Sequence, residues 1–336
     1  MAQFDQDQRG NVPRKYYDGE LAPYEEFWRD LSPWLEERGY KLRPRYQLGW
    51  KPSWAGTDNF LDDCEDGVIP RVHGSFVVFK PVSTKDHPHE VEIGRMLSAE
   101  PLASDPRNHC VPIYDVLQLP DNAEKVLLVM PLLRPYNRPP FQTVGEAVEY
   151  FRQVFEGRPL YPKLYHPQQI DYSLDVQTLA PYHTRTARPT RYYFIDFGLS
   201  RRYESKDGHP REYPIWGGDK TVPEFHRSND ACDPFPTDIY YLGNMIREDF
   251  LQVYHGLHFM QDLVGEMVHD DPIRRPTAAQ VVTRFDVLYP TLSFWTLRSR
   301  LVRRDESWLG RVFRGIWHIF RTAGHVLARR PAVPTP

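Results

Sequence analysis

A few charged positions stand out for their surroundings. Asp196 lies in "RYYFIDFGLSRRY" (191–203), on an Asp-Phe-Gly turn behind a run in which four of five residues are β-branched or aromatic, the pattern of a short buried strand. Lys80 ends a second apolar run, "SFVVFK", and Glu90 and Glu92 open the helical pattern "HEVEIGRMLSAE" that follows it. A lysine and carboxylates brought together from such elements can hold an anionic ligand and its counter-cation; left apart, each is a solvated charge. Glu224 in "VPEF" and Arg275 in "DDPIRRPT" are of another kind. Both fall in segments that a fold would bury, where a charge without a partner costs about 3–5 kcal/mol, so the two are expected to pair.

The elements that must position these residues fall into two stretches. Residues 24–38 place Phe27, Leu31, Trp34 and Leu35 at helical spacing and stop at Gly39, which reads as a small docking helix with its C-terminal cap. "SFVVFK" is a strand, and Val91, Ile93, Met96 and Leu97 give the next helix an apolar face. "CVPIYDVLQL" and "EKVLLVMPLL" are two strands parted by the turn signal Pro120-Asp121-Asn122. The second stretch is helical. Val144, Val148, Phe151 and Phe155 form one stripe ending at Gly157, a proline-rich passage follows over 158–190, and three amphipathic helices lie between 237 and 288. The expected fold class is α+β, a small mixed β lobe followed by a larger, mainly helical lobe, with a ligand cleft between them.

The order of these motifs resembles the protein kinase superfamily, in the style of its divergent fungal members. Asp196-Phe197-Gly198 is similar to the family's metal-binding turn, and Val222-Pro223-Glu224, 26 residues after Asp196, resembles the Ala-Pro-Glu that closes the activation segment. Asp238, opening a helix as "DIYYLG", is similar to the Asp-x-x-x-x-Gly core helix, and "DDPIRRPT" resembles the segment carrying the arginine partner of that glutamate. Upstream, "VVFK" resembles the strand whose lysine holds the α and β phosphates, and Glu90, with Glu92 as its nearest rival, the helix glutamate that pairs with the lysine. Met130 and Leu132 match the gatekeeper and hinge, where backbone groups meet the adenine. The resemblance covers about residues 40–290 and implies ATP and Mg2+ as ligands, with Lys80, Glu90, Met130 and Leu132 at the nucleotide, Asp196 at the metal, and Glu224, Asp238 and Arg275 in structural roles. It divides the chain into an extension with a short helix (1–39), an N-lobe (40–130), a C-lobe (131–300) and a basic tail (301–336).

Against that pattern, pieces are missing. The family transfers phosphate with an Asp that accepts the hydroxyl proton and an Asn, five residues on, that holds a second magnesium. His-Arg-Asp is absent from the chain, no asparagine occurs between Asn137 and Asn229, and Asp171 and Asp175 are followed five residues later by Val176 and Ala180. No catalytic residue is therefore assigned. The resemblance implies a deletion of about 25–30 residues after Gly157, covering a helix end, the catalytic loop and the hairpin behind it. Gly49, Gly56, Gly67 and Gly74 form no G-x-G-x-x-G, so ATP and Mg2+ binding is expected to be weak. The expected function is that of a protein-kinase-domain protein with little or no phosphoryl transfer to protein Ser/Thr. The alternative is a non-enzymatic scaffold recruited by its C-terminal helix.

Composition adds the remaining bounds. A hydrophobic content of 40% is that of a folded chain, and a net charge of −3 over 336 residues asks for no nucleic acid. Cys64, Cys110 and Cys232 form no C-x-x-C pair, and no run of 18 apolar residues exists, so a reducing cytoplasmic or nuclear setting is expected. Residues 308–330, "WLGRVFRGIWHIFRTAGHVLARR", read as a basic amphipathic helix. Two readings stand for it: a peripheral contact with an anionic membrane or a protein partner, or a helix packed on the C-lobe with its arginines in solvent.

Overall fold

The computed structural model describes residues 21–52, 71–72, 75–105, 107–156, 183–204, 208–215 and 217–336. The readings that concern residues 1–19, Gly56, Cys64, Gly67, Gly74, Asp171 and Asp175 lie outside them. The first half carries α1 (Pro23–Glu36), β1 (Arg71–Val72), β2 (Ser75–Ser83), α2 (Pro88–Ser98), β3 (Asp115–Gln118) and β4 (Lys125–Pro131). The second carries α3 (Val144–Glu156), α4 (Pro223–Arg227), α5 (Pro234–Ile246), β5 (Tyr254–His255), α6 (Gln261–Met267), α7 (Ala278–Leu288), α8 (Phe294–Arg298), β6 (Val302–Arg303) and α9 (Trp308–Leu327). The architecture is mixed α+β: one antiparallel four-stranded sheet in the order β1-β2-β4-β3, then helices with a small β5–β6 pair.

β4 is the strand around which the first half is layered. Its run KVLLVMP is apolar almost throughout because both faces are covered, and Val126 to Val129 are buried. Alternation along the pleat sorts the side chains. Val77, Phe79, Leu127 and Val129 face α1 and meet its Leu31 and Leu35. Val82, Val126, Leu128 and Met130 face the other way, toward Val91 of α2. The register sets Lys80 opposite Leu128, so Lys80, two residues before Val82, shares the α2 face.

α1, the docking helix expected from its stripe, is thus one layer of the sheet unit. Gly39 ends it at φ = 82°, a left-handed turn that lets the Tyr40 N–H reach the Leu35 carbonyl at 3.0 Å. A buried pair pins its start: Arg45 donates to both carboxylate oxygens of Glu25 at 2.7 Å.

In the second half α3 is the axis. Val144, Ala147, Val148 and Phe151 are inaccessible and packed by Phe250, Met260, Met267 and Phe285 from the helices around them. Among the described residues no helix is long and apolar enough to cross a membrane.

Three sequence expectations need correcting. Residues 191–195 are not a buried strand: they make one parallel bridge, Cys110 to Phe194, and Phe194 and Ile195 remain about half exposed. The segment at 109–111 satisfies the N–H and C=O of Phe194, at 2.7 and 2.9 Å, and no second neighbour among the described residues extends the ladder. The helix holding Asp238 opens earlier, at Pro234, because the Asp233 carboxylate caps it by accepting from the Phe235 N–H at 3.0 Å. Finally, β2 does not end at Lys80 but runs on to Ser83. α9, for which two readings stand, docks through its polar side with its aromatic side exposed, while Arg311, Arg314 and Arg329 stay in solvent.

Candidate functional site

Three elements bring one residue each to a common point. β2 brings Lys80, α2 brings Glu90, and the chain leaving the Cys110–Phe194 bridge brings Asp196. Lys80 Nζ donates to Glu90 Oε1 and, at 2.7 Å, to Asp196 Oδ1. Glu92 is elsewhere, on the exposed side of α2 beside His89 and Arg202. Exposure rises across the group, with the side chains of Glu90, Lys80 and Asp196 at 3%, 29% and 61%. Glu90 is therefore an internal anchor, whereas Asp196 offers carboxylate surface to whatever enters.

The electrostatics favour the charged forms of Lys80 and Asp196. Burial alone would lower the Lys80 ammonium, but its hydrogen bonds to Asp196 and Glu90 more than offset this and hold it above the ordinary lysine value. Burial likewise would raise the Asp196 carboxyl, and Lys80 with the Gly198 N–H brings it below the ordinary aspartate value. Asp196 takes φ = 67° and caps the short turn Phe197–Leu199. Gly198 follows because α2 comes so close: a Cβ there would lie 3.2 Å from both Glu90 Oε2 and His87 Nδ1. His87 closes the contact, its Nδ1 lying 3.0 Å from the Gly198 carbonyl oxygen.

Met130 sits two residues along β4 from Leu128, the partner of Lys80, and so lies on the face that carries Lys80; Leu132 follows the strand end, also half-buried. Among the described residues no group of three or more His, Cys, Asp or Glu side chains could enclose a metal ion.

A polar stripe on α3, which the sequence reading left out, holds the segment leading to Asp196. Glu146 accepts from the Thr186 N–H at 2.8 Å and its hydroxyl at 2.9 Å, while Gln153 donates to the Thr190 carbonyl at 2.8 Å and accepts from the Tyr192 N–H at 3.0 Å. Arg185 completes the seam, donating to Tyr192 Oη and the Tyr136 carbonyl, both at 2.7 Å, with its guanidinium 3.9 Å from the centre of the Phe141 ring. Glu146 and Gln153 are seven residues apart on α3, a polar stripe that sequence alone assigns to solvent. A pocket of about 660 Å3 that Lys80 does not line is formed by Leu97, Leu102, Cys110, Phe155, Phe194 and Val282. Burial pushes the Cys110 thiol there up to about 11, which disfavours the thiolate at neutral pH.

Glu224 and Arg275 are brought together, far from Lys80 in the chain's order of elements. Arg275 donates to both oxygens of Glu224, at 2.8 and 2.6 Å, and spends its other donors on the carbonyls of His269 and Pro236 at 2.8 and 3.0 Å. The Thr237 hydroxyl adds a bond to Glu224 at 2.9 Å. Burial would raise the Glu224 carboxyl, but the guanidinium outweighs it and leaves the group below the ordinary glutamate value. Asp238 does not join this pair; it is exposed, with no hydrogen bond to it among the described residues.

No family model matches the chain, and no curated protein is found as a relative.

Proposed function

We propose that this chain has a two-lobed, protein-kinase-like fold that binds a nucleoside triphosphate with Mg2+ and transfers no phosphate. The observation that carries the reading is Lys80 held between a buried Glu90 and an exposed Asp196, one residue from each of three elements. A lysine fixed by a buried carboxylate is a positioned cation, and a depressed, accessible aspartate beside it is a positioned hard ligand. The separate clusters on the two faces of the sheet and around α3 support the two-lobed reading.

In this reading Lys80 would hold the phosphates, Glu90 would hold Lys80, and Asp196 would share Mg2+ with the phosphates. Backbone groups at Met130 and Leu132 would meet the adenine. The bound Mg2+ would neutralise phosphate charge, and the chain's own contribution is to orient it. Binding is weak because no G-x-G-x-x-G supplies backbone donors. Turnover is missing because a positioned general base, worth about 10²–10⁴ in rate, has no candidate in the sequence motifs.

A phosphate-transfer assay with labelled ATP and a generic protein substrate tests the inactive half of the reading. The expected result is label at background for the parent chain and for Asp196→Ala alike. Transfer by the parent that disappears in Asp196→Ala would contradict it.

A further inference from the structure

α9 is amphipathic in the opposite sense from a helix packed on a core. At 3.6 residues per turn its apolar side chains fill about half of the circumference and its polar ones the other side. The polar side faces the protein. Arg314 reaches the buried Glu306, which also takes two bonds from Arg300 at 3.1 and 2.9 Å. His318 donates from Nε2 to the Arg298 carbonyl at 2.9 Å and accepts at Nδ1 from Arg321, and Arg321 also donates to Gln142 at 2.8 Å. Beyond the helix, Arg298 binds the Arg330 carbonyl, Val333 packs on the α3 core and Pro334 is buried. The helix is thus clamped at both ends and along one side. Its other side is left outward: Trp308, Phe313, Trp317 and Phe320 are each 70–73% exposed. Phe294 and Trp295 on α8 are exposed as well.

Charge says what this face meets. From Arg298 to the last residue the sequence has nine arginines against Asp305 and Glu306, a net +7, whereas residues 1–297 hold 33 Lys and Arg against 43 Asp and Glu, a net −10. A second copy of the chain laid on the same face would bring like charge to like charge. An anionic lipid surface satisfies both features, taking the aromatic side chains at the headgroup boundary and the exposed Arg311 and Arg329 at the phosphates.

We infer that α9 is a peripheral docking surface for anionic membranes, held apolar side outward by its polar clamp. Its docking is independent of the nucleotide site. The test is sedimentation of the full-length chain with phosphatidylcholine vesicles, with and without phosphatidylserine, at low and high salt. The expected result is binding at least tenfold tighter to the phosphatidylserine vesicles, weakened by salt. Trp308→Ser, Phe313→Ser and Trp317→Ser combined should remove it by tenfold or more, and Arg311→Gln and Arg329→Gln, both exposed side chains, should each weaken it about fivefold. Equal binding to both vesicles, no binding at low salt, or a Trp317-dependent dimer in sedimentation velocity would overturn the inference.

Discussion

Two groups in this protein pair a cation with carboxylates and use the pairing differently. At Glu224 and Arg275 every carboxylate oxygen and three guanidinium nitrogens are committed to the protein, and the Arg275 side chain is wholly buried. At Lys80 the commitments stop part-way: Glu90 is buried and taken, while Asp196 gives one oxygen to Lys80 and keeps an exposed surface. A saturated ion pair is a fastener. An unsaturated one, graded from core to solvent, leaves carboxylate surface on the outside, which is what the proposed ligand site requires. The difference lies in where each group sits, with α4, α5 and the 269–275 segment closing around Arg275 on every side and the turn at Gly198 opening beside Asp196.

The comparison predicts unequal costs. Arg275→Met is expected to have the largest effect, about 3–5 kcal/mol of stability by urea unfolding, because it leaves the Glu224 carboxylate buried without its partner. Glu224→Gln sharpens the point through pH. The folded carboxyl titrates below its ordinary value of 4.5, so its contribution is present above pH 4.5 and is lost as pH falls through the folded value. The stability gap between parent and Glu224→Gln should therefore be constant near neutrality and shrink below pH 4.5; a gap that widens on acidification would break the assignment. Gln153→Ala is expected to cost about 1–3 kcal/mol, since it strands the Tyr192 N–H and the Thr190 carbonyl. Asp196→Asn should cost the least, under about 1 kcal/mol, as befits a largely exposed carboxylate.

The sequence made some of this legible and hid the rest. The apolar run of β4 was readable directly, but the continuation of β2 past Lys80 to Ser83, which puts Lys80 on the face of Val82, was not, because Pro81 interrupts the apolar run. The pairing of Glu224 with Arg275 was readable from the cost of burying either alone. The α3 seam was not, because Glu146 and Gln153 look like a solvent stripe until the 185–192 segment is seen to lie on them. The Glu25–Arg45 clamp was hidden for the same reason. The strand at 191–195 misled: aromatic and β-branched content signals a sheet surface only where a neighbouring strand exists to pair with it. For α9 the sequence left two readings open, since an amphipathic pattern says that two sides differ and is silent on which one the protein keeps.

The claim on which the rest depends is that Asp196 is a ligand-directed carboxylate. Thermal unfolding of the parent and of Asp196→Asn, with ATP plus Mg2+ and with ATP plus chelator, measures it most directly. With a Kd in the tens of micromolar, millimolar ATP–Mg2+ should stabilise the parent by roughly 2 kcal/mol, a rise in Tm of about 3 °C. That rise should vanish with chelator and in Asp196→Asn. A parent Tm indifferent to ATP and Mg2+, or an Asp196→Asn variant that responds as the parent does, would contradict the account.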